Sequence, residues 1–160
     1  MKRISTIFLQ LIILLFGAGV LTFLILEPQF EGRNVHATQS QIYFKDPFLA
    51  YLYLAYVPFF VGLYQGFKLL GYARRNEIFS PPAVRALRII KFCAAITAIF
   101  ILGAEGYIFV FVRGTDDVAG GVMMGAFVIL MCAVIGTAAA VFERILQNAV
   151  DIKSENDLTV

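Results

Sequence analysis

Charge is scarce in this sequence, and histidine scarcer still. Only 15% of its 160 residues are charged, where a soluble domain of this length carries about a quarter. His36 is the single histidine, and tryptophan is absent. One histidine excludes a histidine-based metal cluster within one chain. It would also confine any Ser-His-Asp arrangement to a polar loop. The two cysteines, Cys93 and Cys132, stand 39 positions apart inside apolar runs. That spacing matches neither a redox motif nor a ligand pair and reads as buried packing. A formal net charge of +2 gives no footprint for nucleic acid. No arrangement of residues suggests catalysis or a cofactor, so the expectation is a non-enzyme with none.

Apolar residues fill the space left by charge. They make up 60% of the chain, with 16 phenylalanines. A soluble core of this size could not hide so many, but lipid accepts apolar side chains on the outside of a helix. Four runs stand out. Residues 7–26 read IFLQLIILLFGAGVLTFLIL, without a charge. About 20 residues at 1.5 Å each span the roughly 30 Å hydrocarbon layer. The run is longer than the core of a signal peptide and ends in Leu26-Glu27-Pro28 rather than at a small-residue cleavage site, so a retained helix is expected. The others cover about 49–71, 89–112 and 121–142. The reading is a single all-α domain, a four-transmembrane-helix bundle.

Between the runs lie a polar outer loop at 28–48, a basic connection at 72–88, a short turn at 113–120 and a tail at 143–160. Tyr51 and Tyr53 suit an aromatic belt at the outer boundary. Pro58 should kink the second helix. Lys68 can reach the phosphates from one turn inside the end. Ser80-Pro81 should start a lead-in helix, the hydroxyl capping free N–H groups and proline taking the first helical position. Arg85, Arg88 and Lys91 recur every three residues, as an inclined stripe toward the headgroups. Ile145, Leu146, Ala149 and Val150 give the tail an apolar face, so the last helix should run one or two turns out of the membrane and fray near Asn156.

Four spans put both ends on one side. That side holds Lys2, Arg3, Lys68, Arg74, Arg75, Arg85, Arg88, Lys91, Arg144 and Lys153, against Arg33, Lys45 and Arg113 on the other. Ten basic residues against three place the ends and the 72–88 connection in the cytoplasm by the positive-inside rule.

Lipid supplies little drive for helix association, so small residues that permit close approach matter. Gly17-Ala18-Gly19, Gly62 with Gly66, Gly121 with Gly125, and Gly136 with Ala140 are the candidates, for packing within the chain or for a homo-oligomer. Tyr53, Tyr56, Phe60, Tyr64 and Phe67 form an aromatic stripe that reads as a packing seam.

Glu105 is the one acidic residue well inside a run, about 10 Å from the outer end of its helix. A carboxylate there is expensive and reads first as part of a structural polar network, with a substrate, ion or proton site as the alternative. Thr22, Tyr53 and Tyr56 lie at matching depth, and Arg113 lies two turns along. At the inner level, Gln10 and Gln65 should bond across helices. Glu105, Tyr53, Tyr56 and Gln65 are therefore the candidate polar site. Arg74, Arg75, Arg85, Arg88 and Lys91 are the candidate contacts for lipid or a partner. Asp116-Asp117 in the outer turn has too few ligands for a calcium loop.

Tyr64-Gln65 with Lys68-Leu69-Leu70, Phe79-Ser80, and the closing stretch Asp151 to Val160 (DIKSENDLTV) carry a resemblance that covers nearly the whole chain. It resembles DUF2975, a bacterial family of small membrane proteins. Arg74-Arg75 departs from it, since an acidic residue more often stands there. The resemblance implies no catalytic residue or cofactor. It does imply a place beside small helix-turn-helix regulators, hence a cytoplasmic regulatory protein as partner to a multi-pass protein of the bacterial cytoplasmic membrane. The expected function is non-enzymatic interaction or regulation. The alternative is a small oligomeric transporter or channel subunit with Glu105 in a polar cavity.

Overall fold

The computed structural model describes residues 3–30, 47–112 and 119–158. His36, the aromatic stretch at 42–44, Arg113 and Asp116-Asp117 lie outside the described residues. Four long helices make the fold: α1 over Arg3–Phe30, α2 over Pro47–Arg74, α3 over Pro81–Tyr107 and α4 over Ala119–Leu158. Each contains a stretch long and apolar enough to cross a bilayer. Every backbone N–H and C=O inside such a helix finds a partner a turn away, which hydrocarbon demands.

Cross-helix contacts fix the order as up, down, up, down. Phe16 meets Phe59 while Gln10 reaches Phe67, so α1 and α2 run antiparallel. Phe48 stacks on Tyr107 while Gly62 abuts Cys93, which reverses α3 against α2. Glu105 abuts Gly125 and Arg88 reaches Glu143, which reverses α4 against α3. The start of α1 and the end of α4 therefore lie at one face.

The helices outrun the apolar runs that predicted them. All 28 residues of α2 are helical through Pro58. The 40 residues of α4 measure about 60 Å, twice the hydrocarbon thickness. The expected one or two extra turns are thus a helix of roughly four turns beyond residue 142, continuous through Asn156. The far end of the third run changes character, since Ile108–Val112 form a π-helical turn.

Local chemistry explains the connection between α2 and α3. Asn76 has a φ of 60°, the left-handed region that asparagine tolerates better than other side chains. The N–H of Glu77 bonds the Tyr72 carbonyl at 2.9 Å, and that of Asn76 bonds Ala73 at 3.3 Å. This pair of bonds is a Schellman closure. Ser80 is extended, and Pro81 opens α3 as expected. The Ser80 hydroxyl does not cap the helix, however. It donates to the Glu77 carbonyl at 2.6 Å, leaving the Ser80 carbonyl to accept from Ala83 and Val84.

The buried apolar cluster sits near the face that carries the chain ends. Ala83, Val84 and Leu87 of α3 pack against Ala139 and Leu146 of α4, with Leu69, Tyr72, Ile78, Ile90 and Val150 around them. Water drives apolar burial there. Deeper in the spans large side chains such as Leu15, Ile99 and Phe127 remain exposed, as lipid permits. Contact there uses small residues: a Cβ on Gly136 would stand 3.6 Å from Ala94, one on Gly66 3.8 Å from Ile13 and one on Gly17 3.8 Å from Leu63. Gly17, Gly66 and Gly136 thus pack within the chain, whereas a Cβ on Gly19 or Gly121 would meet nothing within 4 Å.

Candidate functional site

The best-built polar arrangement among the described residues lies where α3 and α4 leave the apolar runs. Arg88 and Lys91 are three positions apart, hence on one helix face. Arg88 donates through Nε to Oε1 of Glu143 at 2.7 Å, and Lys91 through Nζ to Oε2 at 2.5 Å. Both carboxylate oxygens are engaged. The Glu143 side chain is only 12% exposed, against 54% for Arg88 and 33% for Lys91. The acid is thus the buried centre of the clamp, with the cations reaching in from a wetter rim. Lys91 also stands over the Phe92 ring at 5.3 Å. The expected stripe of Arg85, Arg88 and Lys91 is divided: Arg85 stays exposed, while the other two turn toward α4. Arg74 and Arg75 are exposed at the end of α2. Sequence reasoning passed over Glu143. Its signal was an acid directly after an apolar run on the basic side, facing two cations from another helix.

Beside the clamp is a cleft of about 400 Å³. Lys91, Glu143, Arg144 and Gln147 contribute its polar part, and Thr137, Ala140 and Val141 its apolar part. Gln147 donates to Asp151 at 2.8 Å. The Thr137 hydroxyl donates to the Ala133 carbonyl at 2.7 Å.

Glu105 lies toward the other end, with its carboxylate against the backbone of Gly125. Among its expected partners, Thr22 and Tyr53 bond elsewhere. The Thr22 hydroxyl donates to Ala18 at 2.8 Å, and the Tyr53 hydroxyl to the Leu24 carbonyl at 3.3 Å. The reason is rotational, since Glu105 faces α4 whereas Tyr53 turns to α1. Tyr51, two positions before Tyr53, is the tyrosine that meets α3, donating to the Phe100 carbonyl at 2.9 Å. A cavity of about 320 Å³ between Pro47, Phe48, Tyr51, Gly103, Ala104 and Tyr107 is walled without Glu105.

Gln10 is buried, but its amide donates to the Phe67 carbonyl at 3.2 Å rather than to Gln65. Tyr56 lines an apolar cavity of about 520 Å³ with Phe16, Phe59 and Thr97. Glu105 thus meets α4 at Gly125, Tyr53 bonds α1 at Leu24, and Tyr56 lines the apolar cavity. Lys68 stands over the Tyr64 ring at 5.6 Å. The thiols of Cys93 and Cys132 are both free. Thr6 and Thr97 bury hydroxyls that find no partner among the described residues. No group of three metal-ligating side chains converges among the described residues.

Comparison with known proteins agrees with this architecture. A family model described as "Protein of unknown function (DUF2975)" matches residues 33–160. The chain is 40% identical to the uncharacterized membrane protein YoaS of Bacillus subtilis (strain 168), over all of both chains. No solved structure matches it. Four apolar helices in the order seen here, a match over most of the length and a full-length bacterial relative lead to one conclusion: the chain belongs to the DUF2975 family and is a multi-pass protein of the bacterial cytoplasmic membrane.

Proposed function

We propose that this protein works by non-enzymatic interaction, docking a cytoplasmic regulatory protein on the face that carries its two chain ends. The observation that carries the reading is the α4 extension. About 16 residues of helix project past the apolar run, roughly 24 Å. That stem is braced by α3 through the Ala83, Val84 and Leu87 cluster and by the Arg88–Glu143–Lys91 clamp. A mere topology stop needs no such bracing. Leu146 and Val150 face this packing, whereas Ile145 and Ile152 stay 53% and 62% exposed. Seven positions apart, these two share one side of the helix, and a partner helix would cover them.

Transport or conduction through Glu105 has less support. Its carboxylate is wedged against a glycine backbone, and the large cavity at Tyr56 is apolar and excludes it from its wall.

A photocrosslinking residue at Ile152 in native membranes tests the proposal. The expected product is one discrete hetero-adduct, lost when Ile145 is changed to Asp in the same chain. A crosslinker at Phe109, on the opposite face, should not give it. Adducts only between copies of this chain, or none at Ile152, would remove the docking reading.

A further inference from the structure

The cleft beside the clamp combines a charge pattern and a shape that docking of a regulator does not use. Lys91 and Arg144 line it with the single carboxylate of Glu143, which Arg88 also pairs from outside the cleft. Glu143 gives both oxygens to Arg88 and Lys91, so it is compensated and held still. Arg144 makes no ion pair among the described residues and is exposed. Lys91 has three donors, of which Glu143 takes one. The cleft therefore offers donors to an anion, although it contains an acid.

Its other half is apolar. Val141 is 52% exposed, and Ala140 beside it also lines the cleft. Thr137 has spent its hydroxyl on the Ala133 carbonyl and presents little polarity. The boundary between halves falls where the fourth apolar run ends and Glu143 begins, which is headgroup depth. A free phosphate would use the polar half and leave the apolar half idle. A molecule with an anionic head and a hydrocarbon chain would fill both.

We propose that this cleft binds one anionic phospholipid, its phosphate held by Arg144 and Lys91 and a chain laid along Ala140 and Val141. Basic pockets between membrane helices at this depth suit such headgroups. The site is independent of the docking reading, because it uses neither Ile145 nor Ile152. It assigns Arg144, a residue the sequence did not single out, the central role.

Native mass spectrometry after release from vesicles of equal phosphatidylglycerol and phosphatidylcholine tests it. One phosphatidylglycerol should stay bound per chain. Arg144→Gln should lower its retention roughly tenfold, the loss expected for a charge-assisted bond, and Arg144→Lys should restore most of it. Arg75→Gln removes the same charge at the same face, away from the cleft, and should change nothing. Ala140→Phe keeps every charge but obstructs the apolar half, so it should also lower retention if Arg144→Gln fails to fold. Equal retention of the two lipids would overturn the site. So would an Arg75→Gln loss matching that of Arg144→Gln, which would mean diffuse surface charge. Displacement by glycerol phosphate at equal concentration would overturn it too, as the mark of a free-phosphate site.

Discussion

The carboxylate of Glu105 on α3 occupies the space that a Cβ would fill on Gly125 of α4. Glycine at 125 thus leaves room for the acid at 105, and the pair forms a knob and its socket at the partly buried α3–α4 contact. Gly125→Ala should force the acid aside and destabilise the protein by about 1 kcal/mol, the low end of overpacking, because the obstructing carboxylate ends a flexible side chain. Trimming the knob should relieve the overlap, so Glu105→Ala with Gly125→Ala should lose clearly less than the two single changes summed. Thermal unfolding of the four proteins in one detergent gives the comparison. Strict additivity would mean the two residues do not touch.

Two further glycines on α3 differ in the same physical way. A Cβ at Gly103 would overlap the Tyr51 hydroxyl, while one at Gly106 meets nothing within 4 Å. Tyr51 donates to the Phe100 carbonyl, and Gly103→Ala should break that bond at a cost of about 1–2 kcal/mol. Gly106→Ala should instead gain up to about 1 kcal/mol from helix propensity. The same unfolding assay should rank them in that order, and equal effects would count against the contact.

Removing the centre of the clamp should hurt more than removing its rim. Glu143→Ala strands two cations and deletes two charge-assisted bonds, with an expected loss of about 2–3 kcal/mol. Arg88 is half exposed, so solvent screens its share and Arg88→Ala should cost less, about 1 kcal/mol. Chemical unfolding in mixed micelles would measure both. An Arg88→Ala loss equal to that of Glu143→Ala would contradict this account.

The turn after α2 depends on one left-handed residue. Asn76 at φ 60° should accept glycine without loss. Alanine should cost about 1 kcal/mol, because its Cβ crowds the backbone there. A matching pair of unfolding curves for Asn76→Gly and Asn76→Ala decides the point.

Orientation is open to direct labelling. With Cys93 and Cys132 replaced by alanine, Ser80→Cys should resist a membrane-impermeant thiol reagent in intact cells. It should react once the membrane is opened, as the ten-to-three distribution of basic residues requires. Labelling of intact cells would invert the topology.

Much of the fold could be read along the chain. Ser80-Pro81 marked the start of α3, and each apolar run became a helix. Polar partnerships were less legible. Gln10 was placed at the right depth but paired with Gln65, where the side chain takes a backbone carbonyl of Phe67. Glu105 was matched by depth to Tyr53, although the two face different neighbours. Depth follows from counting residues, whereas direction around the helix axis does not. Helices apolar on every side carry no stripe to show which face turns inward.

What the sequence by itself determined is the number of crossings, their approximate limits and the uneven placement of positive charge. Backbone hydrogen bonds in hydrocarbon close within a few residues, and a charge resists the lipid wherever it stands, so both can be judged one segment at a time. Tertiary structure alone decided that Glu143 would join Arg88 and Lys91, that Glu105 would settle on Gly125, and that a basic cleft would open beside Arg144. Each of those depends on the rotation of one helix against another. Shape fit between side chains 20 to 55 positions apart sets that rotation, and no single helix contains that information.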